Sequence, residues 1–147
     1  PRSLFDEPFV VMMPRDHSMA KQSTIAPTAL AEHKVLLMGE GHCFRDQVLE
    51  ACPGLQESIV AHNARDHTVV EGSSLDTLKH MVASGLGITV LPKSAALESG
   101  YDKNNVVVIP FLDPPPSRRI ALAWRASFPR PEAIDLLINA LRARPLS

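Results

Sequence analysis

The chain has 147 residues, enough for one globular domain, and 45% of them are apolar, ample for a packed core. Its 15 basic and 16 acidic residues leave a net charge of −1. The basic residues are scattered, so the chain lacks the cationic footprint that direct DNA binding normally requires.

Phe9-Val10-Val11-Met12-Met13 reads as a buried strand stopped by Pro14. Residues 27–32 suit a short helix with Pro27 in its first turn. Residues 35–38 form a second apolar run of strand length, ending at Gly39-Glu40-Gly41. From His42 to Cys52 the apolar residues Phe44, Val48, Leu49 and Cys52 recur at spacings of three and four, the period of a helix. Pro53-Gly54 stops that segment. The stretch 56–70 is ambiguous, with strand-like Ile59-Val60 and Val69-Val70 separated by polar turn material.

Ser73 or Ser74 can cap a helix whose stripe is Leu75, Leu78, Met81 and Val82. Asp76 in its first turn meets the positive end of the helix dipole, and Gly85 ends it. Strands are expected over 88–91, 106–109 and 120–124, with Pro114-Pro115-Pro116 as a stiff connection. All are far too short to cross a membrane. A last helix over 131–142 places Ile134, Leu137, Ile138 and Leu141 on one face, which needs a surface to pack on. Strands alternating with helices predict an α/β fold with a largely parallel sheet.

The chain opens on Pro1-Arg2-Ser3 and shows no signal-peptide pattern. The simplest expectation is a soluble, cytoplasmic piece of a longer protein. Two cysteines in such a reducing compartment do not form a static staple; they are either buried apolar side chains or chemistry. No CxxC or HxxxC pair supplies a metal-ligand cluster, so neither metal nor cofactor is expected.

Cys43 stands at the start of its helix, directly after His42 and two residues before Arg45. Unpaired N–H groups, the helix dipole and a nearby cation all favour thiolate over thiol. Cys52 lies nine positions on. In one continuous helix that spacing puts roughly 13–14 Å between the Cα atoms along the axis. A disulfide needs them within about 7 Å. The helix and the disulfide therefore exclude each other.

Gly41-His42-Cys43-Phe44-Arg45-Asp46-Gln47 followed by Cys52 resembles the redox segment of OxyR-type regulators of the LysR family. Phe5-Asp6-Glu7-Pro8, Arg15-Asp16-His17, Ser74-Leu75-Asp76-Thr77-Leu78 and the run from Met81 to Pro92 resemble other parts of that effector domain. Arg118-Arg119-Ile120-Ala121-Leu122-Ala123-Trp124-Arg125 resembles its closing strand. The resemblance implies a periplasmic-binding-protein-like α/β effector domain. Residues 4–117 would form most of its second subdomain, and 118–147 would return to complete the first. The DNA-binding domain and the first half of subdomain I would lie outside this chain.

By the same resemblance, Cys43 is the peroxidatic thiol and Cys52 the resolving one. His42, Arg45 and Arg118 hold peroxide or tune the thiol. Hydrogen peroxide is the signal, a thiol reductant resets the switch, and the regulator is a homo-oligomer, dimer or tetramer. It meets DNA and RNA polymerase only through the intact protein, to control antioxidant genes. A second pocket His found in some members is matched here by Val69, with His67 nearby in a longer 53–72 stretch.

Two other readings stand beside this one. A LysR-type effector domain could bind a small metabolite at the Ser73-Ser74 helix end, with inert cysteines. A thiol peroxidase would use the same cysteines, but the chain lacks a Thr or Ser three residues from Cys43.

Overall fold

Five consecutive apolar side chains, Phe9 to Met13, need cover on both faces, and the fold is arranged around them. They belong to strand β1 (Arg2–Pro14), the longest strand of the computed structural model, which describes residues 1–55, 74–98 and 104–144. The ambiguous stretch 56–70, with His67 and Val69, lies outside the described residues, as does Ser73.

A 3-10 helix, Pro27–Glu32, follows β1 and leads to the short strand β2 (Val35–Leu36). Gly41, at φ +85°, makes the turn into helix α1 (Cys43–Ala51). Helix α2 (Leu75–Ala83) starts at Ser74, whose hydroxyl accepts the Thr77 N–H, and Gly85 at φ +84° ends it as expected. Strand β3 (Ile88–Pro92), helix α3 (Lys93–Leu97), strands β4 (Val106–Pro110) and β5 (Ser117–Leu122), and helix α4 (Pro131–Arg142) complete the order.

The sheet runs β2-β3-β1-β4, with β5 also on β1. Its pairing corrects the expectation of a largely parallel sheet. Among the named strands of the described residues only β2 and β3 pair in parallel; β1 is antiparallel to β3, β4 and β5. The alternating helices do make β2, β3 and β4 run in one direction, but β1 is wedged between β3 and β4 and runs against both. Residues 9–14 of β1 fill that slot, while residues 2–8 pair with β5.

Two further differences have local causes. The final strand begins three residues earlier than its apolar run, because cross-strand pairs Asp6–Arg119 and Glu7–Arg118 extend it over charged residues. Helix α3 went unforeseen, since five residues are too few to show a helical period. Helix α4 matches its expected bounds, yet only Ile134 and Ile138 are buried, while Leu136, Leu137 and Leu141 are exposed. It is tied to β1 by Arg2–Asp135 at 3.0 Å and by Arg142 donating to the Ser3 carbonyl at 2.6 Å. Among the described residues no helix is long and apolar enough to cross a membrane.

Beyond β1, His17 Nδ1 accepts the Met19 N–H at 3.1 Å, and its ring meets His33 at 4.9 Å between centroids. Burial, then the charge of His33, push the His17 pKa below its ordinary 6.5, with Asp16 opposing. The folded form thus binds fewer protons than the unfolded one below pH 6.5, and stability is lost as pH falls through that range. Melting temperature should drop between pH 7 and 5.5. His17→Asn, which can still accept the Met19 N–H, should lessen that drop, and an unchanged pH profile would contradict the assignment.

Candidate functional site

Cys43 needs to be reachable to act on a solute, and it is the exposed one of two free cysteines. It is the first residue of α1, and His42 is the N-cap: its Nδ1 accepts the Phe44 N–H at 3.2 Å. His42 thus performs the turn-orienting role, next to the thiol. Asp46 occupies the first turn, where its charge suits the helix dipole.

Phe44 and Val48 face inward, and the Phe44 ring meets Phe9 of β1 edge-on, with centroids 5.6 Å apart at 84°. Arg45 also turns inward, only 8% exposed, and donates from Nη1 to the Met38 carbonyl at 3.0 Å. It anchors the first turn of α1 to the segment after β2. Its apolar stem covers core side chains while its head finds a backbone partner.

Cys52 stands at the far end of α1 as its C-cap, 1% exposed, its N–H donating to the Val48 carbonyl at 2.9 Å. Burial pushes its thiol pKa up to about 11, so it stays protonated near neutral pH. The two sulfurs therefore differ in setting: one is open to solvent, the other enclosed and held as the thiol.

Arg118 reaches this helix from β5. Its guanidinium carbon lies 5.8 Å from the centre of the Phe44 ring, beside Cys43 in the chain. Glu7, 2% exposed, holds it: Oε1 accepts from Arg118 Nε at 2.9 Å and pairs with Nη2 at 2.7 Å. Glu7 Oε2 accepts the Ser94 N–H at 3.2 Å, which brings α3 to the same carboxylate.

A cavity of about 290 Å³ opens between α1 and β5, lined by Gln47, Glu50, Ser117, Arg118 and Arg119. Gln47 and Glu50 follow Cys43 by four and seven residues and share its helix face. Gln47 Oε1 is buried without a hydrogen-bond partner among the described residues. It is an acceptor awaiting a donor.

His42 and Cys43 thus stand at the start of α1, Arg45 turns inward to Met38, Arg118 meets the Phe44 ring, and Cys52 lies at the other end of the helix. Gln47 and Glu7 were missed from sequence. The i+4 spacing from Cys43 could have flagged Gln47. Nothing local could have flagged Glu7, since its partner lies 111 residues away. The Ser74 hydroxyl caps α2 through the Thr77 N–H and also hydrogen-bonds the Thr77 hydroxyl. Among the described residues no group of three metal-ligating side chains occurs.

The LysR substrate binding domain family matches residues 2–145, and the chain belongs to that family. Within it the likeness is to the OxyR type, so this is a regulatory domain and not an enzyme. A probable hydrogen peroxide-inducible genes activator of Streptomyces viridosporus is 38% identical over 139 residues, 95% of this chain. The DNA-binding transcriptional dual regulator OxyR of Escherichia coli K12 is 36% identical over 141 residues, 96% of this chain. This chain spans 43% and 44% of those two relatives. The reduced form of the OxyR regulatory domain from Pseudomonas aeruginosa is 50% identical, with a TM-score of 0.80 over 97% of this chain and 65% of that one.

With the chain folded, a small neutral alkylating agent at pH 8 should modify Cys43 and spare Cys52. Arg45→Met strips the Met38 carbonyl of its donor, at a cost of about 1–3 kcal/mol. That loss should speed Cys52 labelling, read by peptide mass, roughly tenfold or more. Equal labelling of both thiols in the unaltered chain would contradict the burial of Cys52.

Proposed function

We propose that this chain is the peroxide-sensing part of an OxyR-type transcriptional regulator, switched by a reversible Cys43–Cys52 disulfide. The observation that carries this reading is the pair of unlike thiols at opposite ends of one helix, the exposed one preceding Phe44, whose ring Arg118 faces. Its relatives named for hydrogen peroxide support it.

The Cys43 thiolate attacks one oxygen of hydrogen peroxide; the S–O bond forms as the O–O bond breaks. Cys43 becomes a sulfenic acid, oxidised by two electrons, and the departing hydroxide takes a proton from solvent to become water. The Arg118 cation stabilises the charge developing on that leaving oxygen, and Gln47 Oε1 accepts a hydrogen bond from the peroxide O–H. His42 holds the first turn that presents the thiol, and Arg45 anchors it.

Opening of the far end of α1 releases Cys52. Its thiolate attacks the Cys43 sulfur, the disulfide forms, and the sulfenic oxygen leaves as water. Two equivalents of a thiol reductant reverse the step by exchange. One peroxide is consumed per switching event, as suits a sensor.

Residues 4–117 act as the second effector subdomain, and 118–147 return to the first. The intact regulator is a homo-oligomer that carries DNA-reading and polymerase-facing parts outside this chain. The altered shape of residues 42–54 is the output that reaches those parts to control antioxidant genes.

Thiol titration and intact mass after stoichiometric peroxide test the reading. The unaltered chain should lose two thiols and the mass of two hydrogens. Cys52→Ser should instead yield a sulfenate that dimedone traps on Cys43. Two free thiols in a folded, peroxide-treated protein would overturn it.

A further inference from the structure

We propose that Glu7 is the positioning residue for Arg118 in the reaction of Cys43 with peroxide. The inference rests on the peroxide-sensing reading and adds to it a residue on a different strand, β1, far from the redox helix in sequence.

Strand register places the two side chains. Glu7 and Arg118 are directly opposed in the β1–β5 pair, and both point to the side where α1 packs, whereas the neighbouring pair Asp6–Arg119 is largely exposed. A slip of one residue in β5 would turn Arg118 to the other face of the sheet, away from Phe44. Glu7 takes up the Nε and Nη2 edge of the guanidinium through a single carboxylate oxygen. The Phe44 ring lies against the same group, and Nη1 takes no part in the ion pair. One edge of the cation is thus fixed by Glu7, and Nη1 lies outside that pair.

The carboxylate is itself immobile. It is 2% exposed and holds the Ser94 N–H through its other oxygen, so β1, β5 and α3 meet on it. A second carboxylate, Glu50, lines the cavity that Arg118 borders. Without Glu7, Arg118 is free to swing toward Glu50 and away from the Phe44 ring. A cation held in place stabilises a departing hydroxide without reorganising at the moment of reaction, and one that must be recruited does so less well.

A purely structural Glu7 would disturb every property of Cys43 together; a positioning Glu7 affects the reaction that needs Arg118. The test compares two reactions of Cys43 in a Cys52→Ser background on the full chain. One is sulfenate formation with hydrogen peroxide. The other is alkylation by iodoacetamide as a function of pH, which needs only the thiolate. Glu7→Gln should slow the peroxide reaction on the order of tenfold to a hundredfold. It should leave the plateau alkylation rate at high pH within about twofold of its starting value, since that reaction makes no use of Arg118. In an Arg118→Met background the same change should add nothing further.

Glu7→Asp, which keeps the charge on a shorter stem, should retain more of the peroxide rate than Glu7→Gln. It carries the test if the amide variant fails to fold. A peroxide rate untouched by Glu7→Gln, an equal fall in both reactions, or losses that add to those of Arg118→Met would each overturn the proposal. If the background chain itself forms no sulfenate, the peroxide-sensing reading fails and takes this one with it. Normal sulfenate formation with an indifferent Glu7 refutes this one alone.

Discussion

Cys43 and Cys52 stand at the two ends of a nine-residue helix, and while that helix is formed their sulfurs cannot meet. What holds α1 in place therefore sets how hard it is to close a disulfide. The His42 cap, the Arg45 bond to Met38 and the burial of Phe44, Val48 and Cys52 all belong to the helical arrangement. A cap is worth about 0.5–2 kcal/mol, and burial of each large apolar side chain about 1.5–3 kcal/mol. Each 1.4 kcal/mol or so given up on oxidation raises the potential of the resulting disulfide by about 30 mV. On the proposed reading, strong anchoring of α1 makes the oxidised form easy to reduce, as a resettable switch requires.

The frame for this is β1. Its residues 9–13 are the buried centre of the sheet, and Phe9 offers the surface on which Phe44 rests. Two positions earlier, on the same face, Glu7 carries the ion pair with Arg118. A side-chain period of two puts the aromatic support and the charged support of α1 side by side on one strand. Removing one member of a buried ion pair typically costs about 3–5 kcal/mol, because the other is left uncompensated. The site and the fold therefore share their anchoring residues.

Much of this was legible in the sequence. Helical spacing located α1 and α4, and Ser74 and Gly85 marked the ends of α2. The contrast between the cysteines followed in part from position: a helix start favours an active thiol, and an apolar stripe position favours a buried one. The rest depends on pairing across long separations. Sequence carries strand direction poorly, so the insertion of β1 between β3 and β4 went unseen and the sheet was expected to be largely parallel. Arg45, two residues after Cys43, reads as a cation beside the thiol, and the structure turns it inward to the Met38 carbonyl. Glu7 looks like an ordinary strand-end charge until the register of β1 and β5 pairs it with Arg118, which resemblance alone had singled out.

The claim that helix and disulfide exclude each other is tested most directly by amide hydrogen exchange across residues 43–52 in reduced and peroxide-oxidised protein. The amides of the helix interior, and that of Cys52, which donates to the Val48 carbonyl, should be protected in the reduced state. They should lose that protection once the disulfide has formed, while β1 keeps its own. A verified Cys43–Cys52 disulfide with the helix amides still protected would contradict the account.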